Sequence, residues 1–216
     1  MKKIILSLIF VLSFSTAIFA SQIGDLGFVT EYSAIYIEKD ATTTTQTKVY
    51  VARNMMRQDL KNGEEIIVTR YDKKEMYIIY PKIRRYILEE YPGQAPVIET
   101  KPQEGTFGDM TRKFIDYETI NTYRMKKYLV TIKYRGKKEN TYQYYEWYQD
   151  NFPLPVKTQD LKGVSETEYT KIKLRKPDIE LFMKPKSYKQ TNIGEINALL
   201  LAKEKEEKNT DKKINK

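Results

Sequence analysis

The sequence predicts a mainly β protein of the α+β class, built on one mostly antiparallel sheet that is strongly twisted or curled. Three observations predict it. Between Gly27 and Tyr188, short runs rich in tyrosine, isoleucine and valine are separated by turn signals. Several runs alternate apolar and polar residues with period two, as strands with one wet face do. Helical spacing appears only after Asn192, where Ile196, Leu199, Leu200 and Lys203 share one side.

The first 20 residues, "MKKIILSLIFVLSFSTAIFA", have the layout of a secretory signal peptide: two lysines, an apolar run from Ile4 to Phe14 too short to span a bilayer, and small residues ending in Ala20. Removal after Ala20 leaves about 196 of the 216 residues, a length that fits one domain, from 21 to about 190. The strands of its first half read as "FVTEYSAIYIEK", "TKVYVAR", "MMRQDL", "EIIVTRY", "MYIIY" and "RRYILEE". Turns fall at Asn62-Gly63, at Asp72-Lys73-Lys74 and at Pro81-Lys82, the first being the strongest because Asn and Gly tolerate positive φ. These strands form a run of antiparallel hairpins.

Residues 91–110 hold three prolines and three glycines without sustained periodicity, which reads as a long connection, with room for a short helix around Asp109 to Phe114. The second half resumes with "MKKYLVTIKYRGKK", where Tyr128, Val130, Ile132 and Tyr134 alternate with Thr131, Lys133 and Arg135 and a turn follows at Gly136. Then come "TYQYYEWYQD", "PVKTQDLKG" with a turn at Lys162-Gly163, "ETEYTKIKLRK" and "DIELFMK". Pro153 and Pro155, which lack donors for a sheet ladder, mark a corner. From 191 to 216 the sequence predicts a short helix capped by Asn192, about two turns long, followed by a charged and disordered tail.

Composition narrows the chemistry. The chain has no cysteine and no histidine. Catalytic serine–histidine pairs, thiol nucleophiles and imidazole or thiolate zinc sites are therefore excluded, and the sequence implies neither a metal nor a cofactor. A carboxylate pair of the glycosidase kind is left open, but no local arrangement of acids marks one. The expectation is a protein that is not an enzyme. Without disulfides, stability rests on a packed core. The formal charge of +9, or +7 without Lys2 and Lys3, suits transient contact with an anionic membrane surface, and no dense basic cluster signals nucleic acid.

Two stretches carry a resemblance. In "VTRYDKKEMYIIYPKIRRY", a strand ends at Tyr71, turns through Asp72 and continues as an aromatic-rich strand closed by Pro81. This resembles the central hairpin of the LolA/LolB-like superfamily of lipoprotein carriers, with Lys73 standing where that pattern usually has glycine and Arg57 matching an arginine of the preceding strand. Further along, Glu118, Tyr128, Trp147, Pro153, Pro155, Phe182, Pro185 and Tyr188 fill, in order, the motif places of an exported domain family of unknown function grouped with that superfamily.

The resemblance covers roughly 28 to 188. It implies a half-open antiparallel barrel whose concave apolar face is covered by helices or loops. It also implies an exported, soluble, periplasmic carrier that shields a lipid, a lipoprotein acyl chain or another hydrophobic ligand. The alternative is an envelope protein-interaction or sensor domain on the same fold without a lipid. Candidate cavity-lining residues, chosen by alternation, are Tyr77, Ile79, Tyr128, Val130, Ile132 and Trp147. Arg57 is the candidate for contact with a head group or with the carbonyls of a lid.

Overall fold

The computed structural model describes residues 23–24, 27–28, 30–91, 110–134, 140–152 and 154–214. The expected signal peptide, most of the 91–110 connection, the Gly136 turn and Pro153 lie outside them. Two short strands, β1 (Ile23–Gly24) and β2 (Gly27–Phe28), pair with each other. A six-stranded meander follows: β3 (Tyr32–Lys39), β4 (Thr44–Ala52), β5 (Met55–Leu60), β6 (Glu65–Arg70), β7 (Glu75–Tyr80) and β8 (Arg85–Glu90).

A five-stranded meander comes next: β9 (Met110–Ile120), β10 (Tyr123–Tyr134), β11 (Asn140–Tyr148), β12 (Lys157–Asp160) and β13 (Glu166–Lys173). Strand β13 pairs antiparallel with β3, from Glu166 opposite Lys39 to Lys173 opposite Ser33, and this joins the meanders edge to edge. The short β14 (Lys189–Gln190) adds in parallel to β8. The result is one open sheet of twelve strands in the order β14-β8-β7-β6-β5-β4-β3-β13-β12-β11-β10-β9. The mainly β, curled and unclosed sheet expected from the sequence is the architecture observed.

The turns obey backbone sterics. Asn62 (φ 57°) and Gly63 (φ 90°) adopt the positive φ expected of them, and Lys61 joins them at 48°. Past Asp72 the left-handed residue is Lys74 (φ 55°), and past Pro81 it is Arg84 (φ 51°). Where the sequence suggests a helix near Asp109 to Phe114, Met110 to Phe114 belong to β9, because the two-residue turn Asn121–Thr122 (φ 49° and 73°) folds β9 back along β10.

The segment "DIELFMK", expected as a strand, is a 3-10 turn from Ile179 to Phe182. Asp178 accepts a hydrogen bond from the Glu180 N–H at 3.0 Å, and Pro177 and Pro185 bracket the segment, so it cannot join a ladder. Helix α1 (Ile193–Ile214) is longer than its two apolar turns predict. Beyond them, Lys203 donates to the Lys82 carbonyl and Glu207 pairs with Lys82 at 2.9 Å.

Burial explains the strand sequences. One core cluster joins Tyr32, Val49, Val51 and Met56 to Trp147, Tyr169 and the corner residues Phe152, Leu154 and Val156. On the opposite side of β4–β8, Ala52, Met55, Val68, Tyr77, Ile79 and Tyr86 surround Phe182. A third cluster sets Ile196 of α1 against Ile78, Tyr80 and Ile87. Strand β7 is thus covered on both faces, which is why "MYIIY" is an apolar run rather than an alternation.

Candidate functional site

In register, Arg57, Val68 and Tyr77 are neighbours across β5, β6 and β7, and Ile66, Ile79 and Tyr86 are neighbours across β6, β7 and β8. Directly opposite residues share a face of the sheet, so these six make one wall. The other wall is a strap, residues 177–188, laid across it without regular structure beyond its 3-10 turn. Between them lies an open-sided cavity of about 850 Å³. Its floor is Ile66, Tyr77, Ile79 and Pro81, with Tyr188 facing them from the strap. That volume is within the range of about 300–1,000 Å³ common to small-molecule sites.

The strap is pinned by arginines and by its own hydrophobic plug. Arg57 Nη1 donates to the Leu181 carbonyl at 3.0 Å, and Arg70 Nη1 reaches Met183 Sδ at 3.4 Å. At its end, Lys189 N–H donates to the Arg84 carbonyl at 3.2 Å and Thr191 N–H to the Tyr86 carbonyl at 2.9 Å. Phe182 is wholly buried at its centre. Burial of a phenylalanine contributes about 1.5–3 kcal/mol, which offsets the backbone ordering of one or two residues of the strap.

Both arginines are aimed by acids two residues further along the chain, Asp59 on the same face of β5 and Asp72 in the turn after β6. Arg57 pairs with Asp59 at 2.6 Å and Arg70 with Asp72 at 2.7 Å. The Arg70 hydrogen bond holds the Asp72 carboxyl below its ordinary value. Tyr77 donates its hydroxyl to Glu75, and desolvation followed by that hydrogen bond pushes its pKa up to about 12.

Of the residues chosen from the sequence, the structure brings Tyr77, Ile79 and Arg57 together in this groove. Arg57 makes the carbonyl contact with a covering segment. Tyr128, Val130 and Ile132 do not join them. They stand on the far wing, on one face of β10 with Phe114 opposite Tyr128 and Tyr144 opposite Val130. Trp147 lies on the other side of that wing, paired with Lys127, and is packed in the core. Its Nε1 donates to Glu118 at 3.0 Å, so two residues of the motif series bond each other, and the ammonium groups of Lys127 and Lys157 sit 4.8 and 5.3 Å from its ring centre.

Tyr128, Val130 and Ile132 alternate along β10 and so share a face, but alternation within one strand carries no information on which strands share a wall. The strap was missed as a wall. Its signal was the bracketing of an apolar turn by Pro177 and Pro185.

The far wing has its own organisation. Phe114, Tyr117, Tyr128 and Tyr148 meet edge to face in a chain, with centroids 5.3–5.7 Å apart. Beneath them Glu146 is buried and accepts from Arg112 Nε at 2.8 Å, Tyr144 Oη at 3.0 Å and Tyr148 Oη at 2.9 Å. Strand β9 is the sheet edge, and its residues from Met110 to Thr119 are exposed.

No protein-family model matches the chain, and no curated protein matches it. Among solved structures it is similar to MucB, with a TM-score of 0.40 and 9% identity over 81% of this chain and 64% of that one. It is similar to the MucA/MucB complex of Pseudomonas aeruginosa, at 0.41 and 7% over 83% and 64%. It is also similar to a LolA superfamily protein from Nitrosomonas europaea, at 0.31 and 12% over 78% and 96%. The chain spans about 64% of the length of these MucB chains.

Proposed function

We propose that this chain is an exported, soluble binding module that shields an apolar ligand in the groove between β5–β8 and the strap. The ligand is a lipid, a lipoprotein acyl chain or an apolar segment of another envelope protein. One observation carries the reading: a cavity of about 850 Å³ with an aliphatic and aromatic floor, roofed by the chain's own strap. Shielding a chain there contributes about 0.8 kcal/mol per buried methylene. The polar groups around it serve as braces. Arg57 and Arg70 are matched by Asp59 and Asp72 and hold the strap, and Glu75 holds Tyr77. This arrangement suits reversible binding without bond chemistry, in a periplasmic protein.

A second reading, a protein-interaction domain without a lipid, is favoured by the far wing. There an exposed edge strand and an aromatic face offer a partner both backbone groups and rings. Solvent extraction of the purified protein with mass spectrometry, combined with titration of a fluorescent acyl probe, separates the two. Co-purifying lipid or saturable probe uptake, weakened by Tyr188→Ala, is expected. A folded protein with neither leaves the protein-interaction reading.

A further inference from the structure

The rim of the groove differs in character from its floor. Lys184 and Lys186 flank Pro185 on the strap, and Lys73 stands in the turn after β6; all three line the cavity and all are exposed. Lys73 stands beside the Asp72 carboxylate and interacts with its charge, and the Lys184 ammonium stands 5.9 Å from the Tyr86 ring centre. The other charged groups lining the cavity are accounted for. Arg57 is neutralised by Asp59 and Arg70 by Asp72, Glu75 accepts from Tyr77, and Glu180 lies in the strap's turn. Against Glu75 and Glu180, the three lysines leave the rim with one net positive charge, above a floor of Ile66, Ile79, Pro81 and the ring of Tyr77.

An apolar floor with ammonium groups at its mouth matches a molecule of two parts. A lone apolar chain gives the ammonium groups at the mouth no anion, and a free anion makes no contact with Ile66 and Pro81, the half-buried part of the floor. Resting on the groove reading above, we propose that the ligand is an amphiphile with an apolar chain and an anionic head group, carboxylate or phosphate. The chain lies on Ile66, Tyr77 and Ile79, and the head is held at the rim by Lys73, Lys184 and Lys186. Lysine suits this role because its ammonium, on a flexible stem, follows a head group without demanding one fixed geometry.

The test compares probes of one chain length on the full protein: laurate, dodecyl phosphate and dodecanol, with inorganic phosphate alone, each displacing a fluorescent acyl probe. The anionic amphiphiles should bind at least about fivefold more tightly than dodecanol, and the preference should shrink at about 1 M salt. Inorganic phosphate should displace nothing. In a Lys73→Gln, Lys184→Gln, Lys186→Gln variant, the anionic-to-neutral ratio should fall toward one, while Lys162→Gln, in the distant Gly163 turn, should keep it.

Equal binding of laurate and dodecanol overturns the head-group assignment and leaves the groove standing. Failure of all three dodecyl probes overturns the groove reading itself. Displacement by inorganic phosphate as effective as by dodecyl phosphate overturns the amphiphile in favour of a free-anion site. A ratio that survives the triple variant shows that these lysines do not hold the head.

Discussion

Glu146 shows how a charge is kept inside an all-β wing: its side chain is only 5% exposed, yet three donors converge on its two oxygens. Replacing Arg112 by alanine leaves a buried carboxylate with two phenols and no cation. A loss of about 1–3 kcal/mol is expected, read from the urea midpoint. Glu118, on the core side of the same wing, sets a pH dependence. The Trp147 Nε1–H bond first, and the Lys127 ammonium beside it, hold its carboxyl below the ordinary glutamate value. Its stabilising contribution is complete above the unfolded-state value and is lost as pH falls through the lower folded one. Unfolding midpoints taken from about pH 6 to pH 3 should fall less in Glu118→Gln than in the natural protein. The sequence showed Glu118 and Trp147 as separate marks in a motif series. That they bond each other was hidden because 29 residues separate them.

At the scale of elements, strands were legible wherever propensity and pattern agreed. "MMRQDL" is β5 residue for residue, and the starts and ends of β6, β7 and β8 lie within a residue of the sequence reading. The errors have two causes. Ile179–Phe182 looks like a strand by composition, but Asp178 captures the Glu180 N–H and proline on either side removes ladder donors, so local chemistry overrides the apolar run. The Asn121–Thr122 turn lacks the usual glycine, so the β9–β10 hairpin carried little sequence signal. Its second residue, β-branched at φ 73°, is strained. Thr122→Gly is expected to stabilise the protein by about 1 kcal/mol, seen as a higher denaturant midpoint with unchanged slope.

At the scale of the whole molecule, the sheet is two meanders fused through β3 and β13, with consecutive strands β8 and β9 sent toward opposite edges. That order puts the groove and the aromatic wing on distant parts of one sheet. A ligand bound in the groove therefore tightens the strap and β5–β8, and by linkage the whole cooperative unit. Laurate at one hundred times its dissociation constant should add about 2.7 kcal/mol to unfolding stability, measured by denaturant titration with and without it. The sequence by itself determined the β class, most strand boundaries, the absence of thiol and imidazole chemistry, and the identity of Tyr77, Ile79 and Arg57 as candidates, because these depend on composition and on alternation within one strand. Only the tertiary structure decided that Tyr128, Val130 and Ile132 face a different surface, that Trp147 is core, and that a C-terminal strap walls the groove. Those outcomes depend on strand order and on contacts across more than a hundred residues, such as Arg57 with Leu181, and local periodicity carries no information at that range.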